Sequence, residues 1–405
     1  MQLNYSQKDF YIEIDLPASK SIHNRVMILD ALYGLDLQIT NPSNSADSVL
    51  LNTLLKSKNE TLDCQNAGTV FRFLTAYHSV NSKPVILTGS ERMLKRPIKD
   101  LVNALKSLGE GIEYQNREDF PPIKIFGGLK KGGSVTISGE TSSQFISALA
   151  MIGPKLGDGL SITIEGQISS RPYIEMTVKL MQNLGFDISF NNNIIITKSW
   201  KGQLKLNAIE IEPDWSAVAF WFQIISLNPN GKVFFKRLKT QSVQGDSVLA
   251  QWSEKLGLKL TEKDDGILLE KSSIPVSNNT TWDFSNNPDL APSIIVLLSV
   301  LNKKARFKGL ESLKIKESDR TLALQTELKK CSVHLSENNN GWFLDATHFD
   351  LKENTVFENY DDHRIAMALA CLAFIKPIQM ENLEAVNKSY PDFWEHLSKL
   401  TQIHR

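Results

Sequence analysis

The sequence predicts an α/β (α+β) fold in which two domains each contain three copies of one repeating unit. Apolar helices and hairpin turns that recur at regular spacing carry this prediction. Six apolar helix patterns recur about 74 residues apart, except that the first two lie about 48 residues apart. They begin near Ser21, Thr69, Ser143, Ser216, Leu290 and His363. Because these helices are apolar nearly all round, they belong in a core.

A second, amphipathic helix follows each apolar helix. These second helices are predicted at Asp47–Leu55, Ile98–Leu108, Ile174–Leu184, Ser247–Leu256, Arg320–Leu328 and Phe393–Leu400. Turn signals such as Asp265-Gly266 then separate short β-like runs. The unit is therefore strand, helix, strand, helix and hairpin, repeated six times. The first unit is shorter by about 25 residues and has no room for its hairpin.

The domain boundary is predicted between the third and fourth units. Glu212-Pro213-Asp214 interrupts the pattern there, and the strand at Tyr11–Ile14, which precedes the first helix, is free to pair with the second domain. The chain would then cross between domains twice. We expect residues 18–212 to form the amino-terminal domain and residues 1–17 plus 213–405 to form a discontinuous carboxyl-terminal domain.

Composition narrows the function classes. Lys plus Arg and Asp plus Glu both number 45, so the formal net charge is zero and a bulk nucleic-acid binder is not expected. The three cysteines have no paired or metal-like spacing, which favours reduced thiols. No apolar run has the length of a membrane span, and residues 1–10 hold no signal-peptide core. We therefore expect a cytoplasmic, soluble protein without a membrane partner.

Charged and polar residues collect where the predicted helices begin. A helix start carries free N–H groups and partial positive charge, so it attracts anions. Such stretches occur at 16–25, 66–69, 88–97, 139–144, 169–173, 286–289, 316–320, 361–364 and 387–392. Each stretch alone could equally be an ordinary cap, a structural ion pair or a solvated loop. In 316–320, for example, Lys316 and Arg320 are spaced to share one helix face beside Glu317.

Taken together, these stretches predict one binding site. If the repeats are pseudo-symmetric, the helix starts meet on one face of each domain, and two opposed faces form a cationic cleft for substrates with several negative charges. No P-loop or dinucleotide fingerprint is present, and no His/Cys/Asp cluster has metal spacing. We expect no cofactor and no metal.

Nine of these motifs, in order, resemble those of the 5-enolpyruvylshikimate-3-phosphate synthases. They are Leu-Pro-Ala-Ser-Lys-Ser-x-x-Asn-Arg (16–25), Asn-Ala-Gly-Thr (66–69), Arg-Met-x-x-Arg-Pro (92–97), Ser-Ser-Gln-Phe (142–145), Pro-Tyr-Ile (172–174), Pro-Asp (288–289), Lys-Glu-Ser-Asp-Arg (316–320), Asp-His-Arg (362–364) and Lys-Ser-Tyr-Pro-Asp (388–392). The resemblance implies two domains of three βαβαββ units each, an inside-out α/β barrel type of fold with the first unit shortened here. It also implies an active site in the interdomain cleft and closure of the domains on the substrates.

The same resemblance implies an activity and assigns residues to it. The activity is transfer of the enolpyruvyl group from phosphoenolpyruvate to the 5-hydroxyl of shikimate 3-phosphate, with release of phosphate. Catalytic roles fall to Lys20, Asp289, Lys316 and Glu317. Shikimate 3-phosphate would contact Lys20, Ser21, Arg25, Ser142, Ser143, Gln144, Ser170, Tyr173, Asp289, Ser312 and Lys316. Phosphoenolpyruvate would contact Lys20, Gly68, Arg92, Gln144, Arg320, Arg364 and Lys388.

Four positions depart from the family's usual pattern. Ala18 stands where the family usually has Gly, which restricts the backbone at the predicted hinge. Phe73 replaces a frequent Pro, Ser312 replaces a frequent Asn, and Trp215 replaces a small residue. None of these changes removes a charged group of the predicted site.

Two other functions compete with this one. The sister enolpyruvyl transferase that acts on UDP-N-acetylglucosamine typically carries a Cys in a mobile loop, and the corresponding segment here, 89–97, has none. A non-catalytic binding protein on the same scaffold would be favoured by loss of Lys20, Asp289 or Glu317, and all three are present. We expect the synthase, acting as a monomer on two small-molecule substrates.

Overall fold

The computed structural model describes residues 2–4, 9–339 and 341–400. Contacts between Cα atoms divide the chain into two units, each described here by itself. Unit N is Ser19–Ile211, and unit C combines Met1–Ala18 with Glu212–Arg405. The chain passes from one unit to the other after Ala18 and again after Ile211.

The helices follow the predicted periodicity. They are α1 Lys20–Tyr33, α2 Ala46–Lys56, α3 Gly68–Ser79, α4 Lys99–Ser107, α5 Ser143–Ile152, α6 Arg171–Leu184, α7 Trp215–Leu227, α8 Leu249–Trp252, α9 Ala291–Val300, α10 Arg320–Lys329, α11 His363–Ala370 and α12 Phe393–Ser398. Short 3₁₀ turns extend several of them, including Pro288–Leu290 just before α9.

The strands are short and fall between the helices. They are β1 Gln2–Leu3, β2 Tyr11–Ile14, β3 Gln38–Thr40, β4 Thr61–Asp63, β5 Val85–Thr88, β6 Ile112–Tyr114, β7 Ile123–Ile125, β8 Gly133–Ser138, β9 Leu160–Glu165, β10 Ile188–Asn191, β11 Ile194–Thr197, β12 Ala208–Glu210, β13 Lys232–Lys236, β14 Leu258–Lys263, β15 Gly266–Lys271, β16 Thr280–Asp283, β17 Lys304–Lys308, β18 His334–Asn338, β19 Gly341–Asp345, β20 Thr355–Phe357 and β21 Ile378–Met380.

In unit N the strands form two four-stranded sheets, with the orders β4-β5-β7-β6 and β10-β11-β9-β8, and one two-stranded sheet. Each four-stranded sheet joins a parallel pair, such as β8 and β9, to an antiparallel hairpin, such as β10 and β11. The two-stranded sheet pairs β3 in parallel with β12, from the far end of the unit. The sheet of the shortened first repeat therefore takes its second strand, β12, from the end of unit N.

In unit C the sheet orders are β14-β15-β13-β2, β16-β17-β19-β18 and β1-β21-β20. Strand β2 runs parallel to β13, with Tyr11 opposite Lys232 and Ile14 opposite Phe235. This is the pairing that the sequence predicted for the amino-terminal strand. Strand β1 pairs with β21 in the sheet of the last repeat. The prediction of a hairpin in every complete repeat is therefore wrong for the sixth, where β1 takes its place.

Each unit has a core of helices with its sheets packed around them. In unit N, α1, α3 and α5 contact one another, and in unit C α7, α9 and α11 do the same. Every residue of α5 except Gln144, and every residue of α9 except Val300, is buried. Sheet strands such as β9 alternate buried and less buried residues, so one face of each sheet covers the helices.

One predicted helix differs in the structure. The helix predicted over Ser247–Leu256 is broken into a 3₁₀ turn, α8 and a second 3₁₀ turn, because i→i+3 hydrogen bonds, such as Leu256 N to Ser253 O, replace the α-helical pattern. At the start of unit C, Ala18 forms an isolated bridge with Pro213, and Pro17 O accepts from Asp214 N at 2.8 Å. Ala18 is not among the residues with positive φ, so its β-carbon meets no left-handed strain.

Candidate active site

Lys20 is the first residue of α1, and a carboxylate anchors its ammonium group. Lys20 Nζ lies 3.1 Å from Asp47 Oδ2, and both side chains are largely buried. Asp47 stands in the first turn of α2. The hydroxyl of Ser19, just before Lys20, is buried without a hydrogen-bond partner, so Ser19 does not cap α1 by its side chain. The pair therefore fixes Lys20 at the entrance of α1 instead of leaving it a solvated cation.

Arg25 is a buried guanidinium with uncharged partners. It is 2% exposed and donates to Thr177 Oγ1 at 2.6 Å, Ser21 O at 2.7 Å, Tyr173 O at 3.2 Å and Ser147 Oγ at 3.3 Å. Burial lowers the pKa of Arg25 to about 10, which leaves it protonated at neutral pH. Because these four partners are neutral, the positive charge remains available to an anion.

Gly68 begins α3 where two arginine side chains approach the backbone. A β-carbon at Gly68 would overlap the Arg72 guanidinium and lie 2.6 Å from Arg96 Nη1. Arg72 and Arg96 are both buried. Arg72 Nη1 donates to Gln144 Oε1 at 3.1 Å, which orients the Gln144 amide. Only glycine allows this close approach of the guanidinium groups to the start of α3.

The starts of α5 and α6 place the remaining polar groups of unit N. Ser142 is the N-cap of α5 and accepts from Gln144 N at 3.3 Å, while Ser143 is its first residue. Gln144 Nε2 donates to Thr69 Oγ1 at 2.9 Å, which joins α5 to α3. Ser170, the N-cap of α6, has φ of 57° and is buried.

Tyr173 and Arg92 are the remaining two predicted residues of unit N. Tyr173 contributes its backbone carbonyl to Arg25, as described above. Arg92 is half-buried and opens the 3₁₀ turn Met93–Lys95.

In unit C, Arg320 lies at the centre of three carboxylates. Its side chain is 1% exposed. Arg320 Nη1 lies 2.9 Å from Asp289 Oδ1, Nη2 lies 2.8 Å from Glu317 Oε2, and Nε lies 2.8 Å from Asp362 Oδ2. Burial by itself would lower the pKa of Arg320, but Asp362, Glu317 and Asp289 outweigh it and raise that pKa above its ordinary value. The fixed guanidinium therefore holds the three carboxylates in one place.

Asp289 is surrounded by cations. Besides Arg320, its carboxylate lies 3.1 Å from Arg364 Nη2 and 3.6 Å from Lys316 Nζ. Burial by itself would raise the pKa of Asp289, but the charges of Arg364, Lys316 and Arg320 outweigh it and hold that pKa well below its usual range. Asp289 is therefore ionised and able to accept a hydrogen bond or a proton. The Asp289 carboxylate therefore forms ion pairs and is not a helix cap.

Glu317 and Lys388 form the other side of this cluster. Glu317 Oε1 lies 3.5 Å from Lys388 Nζ, and both side chains are 12% exposed. The structure therefore brings together the predicted residues Asp289, Lys316, Glu317, Arg320, Arg364 and Lys388. Ser312 lies in the 3₁₀ turn Glu311–Ile315, and its hydroxyl is buried without a hydrogen-bond partner.

The prediction that Lys316 and Arg320 meet on one helix face is wrong. Lys316 and Arg320 do not share a helix face, because Asp319 caps α10 through a hydrogen bond from Leu322 N and the helix begins only at Arg320. Lys316 is extended, with φ of −81° and ψ of −157°. The two cations meet because both contact the carboxylate of Asp289, which lies far away in the sequence.

Sequence reasoning missed three supporting residues. Asp362 is fully buried, accepts from Ser318 Oγ at 3.1 Å and caps α11 through Arg364 N at 2.9 Å. Its position just before His363 is a cap signal that could have identified it. Asp47 carries the same kind of signal in the first turn of α2. Thr177 carries none, since a buried threonine on a helix has many structural uses.

The chain is similar in sequence to proteins of one family. A sequence profile described as EPSP synthase (3-phosphoshikimate 1-carboxyvinyltransferase) matches residues 50–397. The 3-phosphoshikimate 1-carboxyvinyltransferase of Bacteroides fragilis is 42% identical over 390 residues, which are 95% of this chain and 94% of the relative. The chain belongs to the EPSP synthase family. The enzyme of the same name from Pseudoalteromonas translucida is 31% identical over 419 residues, covering 96% of each chain.

Solved structures extend the EPSP synthase likeness to the fold. The EPSP synthase of Acinetobacter baumannii superposes with a TM-score of 0.76 at 18% identity and covers 99% of this chain and 98% of its own. The enolpyruvyl transferase NikO from Streptomyces tendae superposes with a TM-score of 0.71 at 12% identity, covering 98% and 96%. The predicted fold class, two inside-out α/β domains, is confirmed.

Neither a cluster of metal ligands nor a membrane-spanning helix occurs in the part of the chain that the structure describes. Among residues 2–4, 9–339 and 341–400, no group of three His, Cys, Asp or Glu side chains is arranged to hold a metal ion. Within the same ranges, no helix is both long and apolar enough to cross a membrane.

Proposed function

We propose that this chain transfers the enolpyruvyl group of phosphoenolpyruvate to the 5-hydroxyl of shikimate 3-phosphate, giving 5-enolpyruvylshikimate 3-phosphate and phosphate. Membership of the EPSP synthase family supports this reaction. The structural observation that carries it is the Asp289 carboxylate held among Arg320, Arg364 and Lys316. That arrangement supplies a proton acceptor beside three groups that bind anions.

The proposed chemistry is an addition followed by an elimination. The 5-hydroxyl oxygen bonds to C2 of phosphoenolpyruvate while its proton passes to Asp289 and Glu317 protonates the methylene carbon. The tetrahedral intermediate then loses phosphate from C2, and the departing phosphate takes the proton from Asp289. Glu317 removes a proton from the new methyl group, which restores the double bond and the starting state of Glu317. Lys20 assists Glu317, and Lys316 orients the hydroxyl. Fixed carboxylates stabilise the positive charge that develops at C2.

Substrate anions would activate both carboxylates. In the structure Arg320 and Lys388 neutralise Glu317, and three cations stabilise ionised Asp289. Asp289 so stabilised is a poor base, because its pKa lies far from the working pH. We propose that the phosphate and carboxylate of phosphoenolpyruvate take over Arg320, Arg364 and Lys388. The proton affinity of Asp289 would then rise, because Asp289 loses part of its positive surroundings. Glu317 would at the same time be released from its ion pairs with Arg320 and Lys388.

The residues of unit N fit the other substrate. Arg25 has a buried charge that its neutral partners leave uncompensated, which suits the anionic groups of shikimate 3-phosphate. Ser21, Ser142, Ser143, Ser170 and Tyr173 would donate to its oxygens, and Ser312 and Lys316 would reach it from unit C. We propose that Lys20 and Gln144 contact both substrates, whereas Gly68 and Arg92 contact phosphoenolpyruvate. We propose that both groups of residues act on one substrate pair.

The decisive measurement is phosphate release from phosphoenolpyruvate in the presence and absence of shikimate 3-phosphate. We expect release only with the shikimate ester, and stoichiometric appearance of the enolpyruvyl product by mass spectrometry. Release with UDP-N-acetylglucosamine in its place would assign the chain to the sister transferase. Binding of both substrates without any release would assign a non-catalytic binding protein.

We further propose that the enzyme works as a monomer in the cytoplasm, without a cofactor. Cys64, Cys331 and Cys371 are all free and buried, which suits a reducing compartment. Light scattering at micromolar concentration should give the mass of one chain, about 45 kDa. A mass twice as large would overturn the monomer.

A further inference from the structure

Asp246 is a buried carboxylate of unit C to which the proposed reaction gives no role. It is 3% exposed and lies in the 3₁₀ turn Gly245–Val248. Its Oδ2 accepts from Ser216 Oγ at 2.5 Å, and its Oδ1 accepts from Asn287 Nδ2 at 3.0 Å. Burial raises the pKa of the Asp246 carboxyl, while the charge of Arg364 acts in the opposite direction. Burying a carboxylate is costly unless hydrogen bonds compensate it, and Ser216 and Asn287 supply those hydrogen bonds to Asp246.

Asn287 connects Asp246 to the cation-bound carboxylate. It precedes Pro288, and Asp289 lies in the 3₁₀ turn Pro288–Leu290 that follows. The backbone of Asn287 is fixed on both sides: its N–H donates to Phe284 O at 3.0 Å, and its carbonyl accepts from Leu290 N at 3.1 Å. The hydrogen bond to Asp246 also fixes the side chain of Asn287. Because proline restricts φ at the next residue, little freedom remains between Asn287 and Asp289.

The support for Asp246 is the start of the buried helix α7. Ser216, which donates to Asp246, lies in the first turn of α7. Gln244, two residues before Asp246, accepts from Trp215 N at 3.1 Å and donates to Pro213 O at 2.8 Å. The segment 244–246 is therefore tied to the start of α7, the helix that contacts α9 and α11 in the core of unit C.

We propose that Asp246 is a positioning residue that acts through Asn287 to fix the carboxylate of Asp289. The cations hold the Asp289 carboxylate by charge, and Asp246 fixes Asn287, two residues before Asp289, by a directed hydrogen bond. This inference rests on the proposed function, in which Asp289 accepts the proton of the attacking hydroxyl. Without the acceptor, the Asn287 amide would be buried and unpaired, so the turn would shift to satisfy it.

The test compares Asp246→Ala with Asp246→Asn. In the asparagine variant the side-chain oxygen still accepts from Asn287, and the new amide donates to the Ser216 hydroxyl, which can accept. We expect Asp246→Ala to lower kcat about tenfold to a hundredfold, the effect of a misplacement of roughly 1 Å, with KM for shikimate 3-phosphate within about twofold. Asp246→Asn should keep kcat within about threefold of the wild type.

The control is Asn228→Ala. Asn228 is buried at the opposite end of α7, where its amide donates to Ile224 O at 2.6 Å. This variant should lose stability in urea while it keeps the wild-type kcat. Wild-type turnover, measured beside the variants, tests the proposed function, and the ratios between variants test the inference.

A double-mutant cycle supplies a second test that holds even if Asp246→Ala is poorly folded. If Asp246 acts through Asn287, Asn287→Ala should lower kcat to a similar extent, and the double alanine variant should be no slower than the slower single variant. Three results would overturn the inference. They are multiplication of the two effects, an Asp246→Asn variant as slow as Asp246→Ala, and a kcat for either alanine variant within about twofold of the wild type.

Discussion

Arg320 and Asp289 lie 31 positions apart in the sequence, yet Arg320 Nη1 and Asp289 Oδ1 are 2.9 Å apart. Arg320 is almost fully buried and also contacts Glu317 and Asp362. One guanidinium therefore sets the positions of two proposed proton-transfer groups at once. The planar guanidinium donates in several fixed directions, and this geometry, and not only its charge, holds the cluster together.

Replacing the Arg320 guanidinium should lower both activity and stability. Arg320→Lys keeps the charge but cannot reach three carboxylates in fixed directions, so kcat should fall at least about a hundredfold. Breaking buried ion pairs should also cost about 3 kcal/mol of the free energy of unfolding. Phosphate release and urea unfolding measure the two effects. The control is Lys304→Ala, which breaks the exposed pair of Lys304 with Asp345 and should change stability by less than about 1 kcal/mol. A variant with wild-type kcat would contradict the proposed cluster.

Glu317→Gln should separate binding from turnover. The amide is similar in size, and Arg320 and Lys388 remain to bind phosphoenolpyruvate, but the side chain can no longer give and take the methylene proton. We expect kcat to fall about a hundredfold or more, with both KM values within a few-fold of the wild type. Steady-state kinetics measures both quantities. Glu337→Gln, in the exposed pair with Lys314, is the control and should behave as the wild type. Near-normal turnover of Glu317→Gln would remove the proton-transfer role.

Gly68→Ala should weaken the binding of phosphoenolpyruvate. The new β-carbon would overlap the Arg72 guanidinium and crowd that of Arg96, so both buried groups would have to shift, and Arg72 would move relative to its partner Gln144. Overpacking of this kind costs about 1–3 kcal/mol, so KM for phosphoenolpyruvate should rise about tenfold. KM for shikimate 3-phosphate should change little. Gly157→Ala is the matched control, because its β-carbon would come no closer than 3.7 Å to a neighbour. An unchanged KM for phosphoenolpyruvate would place that substrate away from Gly68.

His23 should make unit N sensitive to acid. Its Nδ1 accepts from Ser43 N at 3.2 Å, and burial lowers the pKa of His23 from 6.5 to about 4. The unfolded chain therefore binds this proton more readily than the folded chain. Stability is then complete above about pH 6.5 and declines as the pH falls towards 4, by about 3 kcal/mol in total.

The His23→Asn variant tests that pH dependence, because its side-chain oxygen can still accept from Ser43 N. Chemical unfolding at pH 7, 6, 5 and 4 should show a smaller loss of stability for this variant than for the wild type. His334→Asn, at an exposed position of β18, should follow the wild type. Equal slopes for His23→Asn and the wild type would contradict the buried, neutral histidine.

Local signals account for most of what sequence reasoning predicted correctly. Helix starts such as those of α5 and α6 carry Ser142 and Pro172, and a cap or a proline acts within one turn of its own position. The six-fold recurrence of the apolar helices likewise follows from periodicity alone. The helix predicted over Ser247–Leu256 failed because tertiary ties at Gln244 and Asp246 determine the path of that segment.

Local sequence signals could not predict which residues the charged side chains contact. Nothing near Lys20 in the sequence indicates Asp47, and nothing near Arg25 indicates Thr177, which lies 152 positions away. The assumed helix face of Lys316 and Arg320 was wrong for the same reason: the two side chains meet through Asp289. Spacing along the chain describes neighbours only within one regular element.

The sequence by itself determined the repeating architecture, the helix starts and the motifs that identify the family, because periodicity, caps and motifs are written in consecutive residues. Only the tertiary structure decided that Arg320 joins three carboxylates, that Gly68 leaves room for two arginines and that Asp246 holds Asn287. Those relationships arise when segments far apart in the chain are packed together. Burial then makes each charge depend on the partners that packing provides.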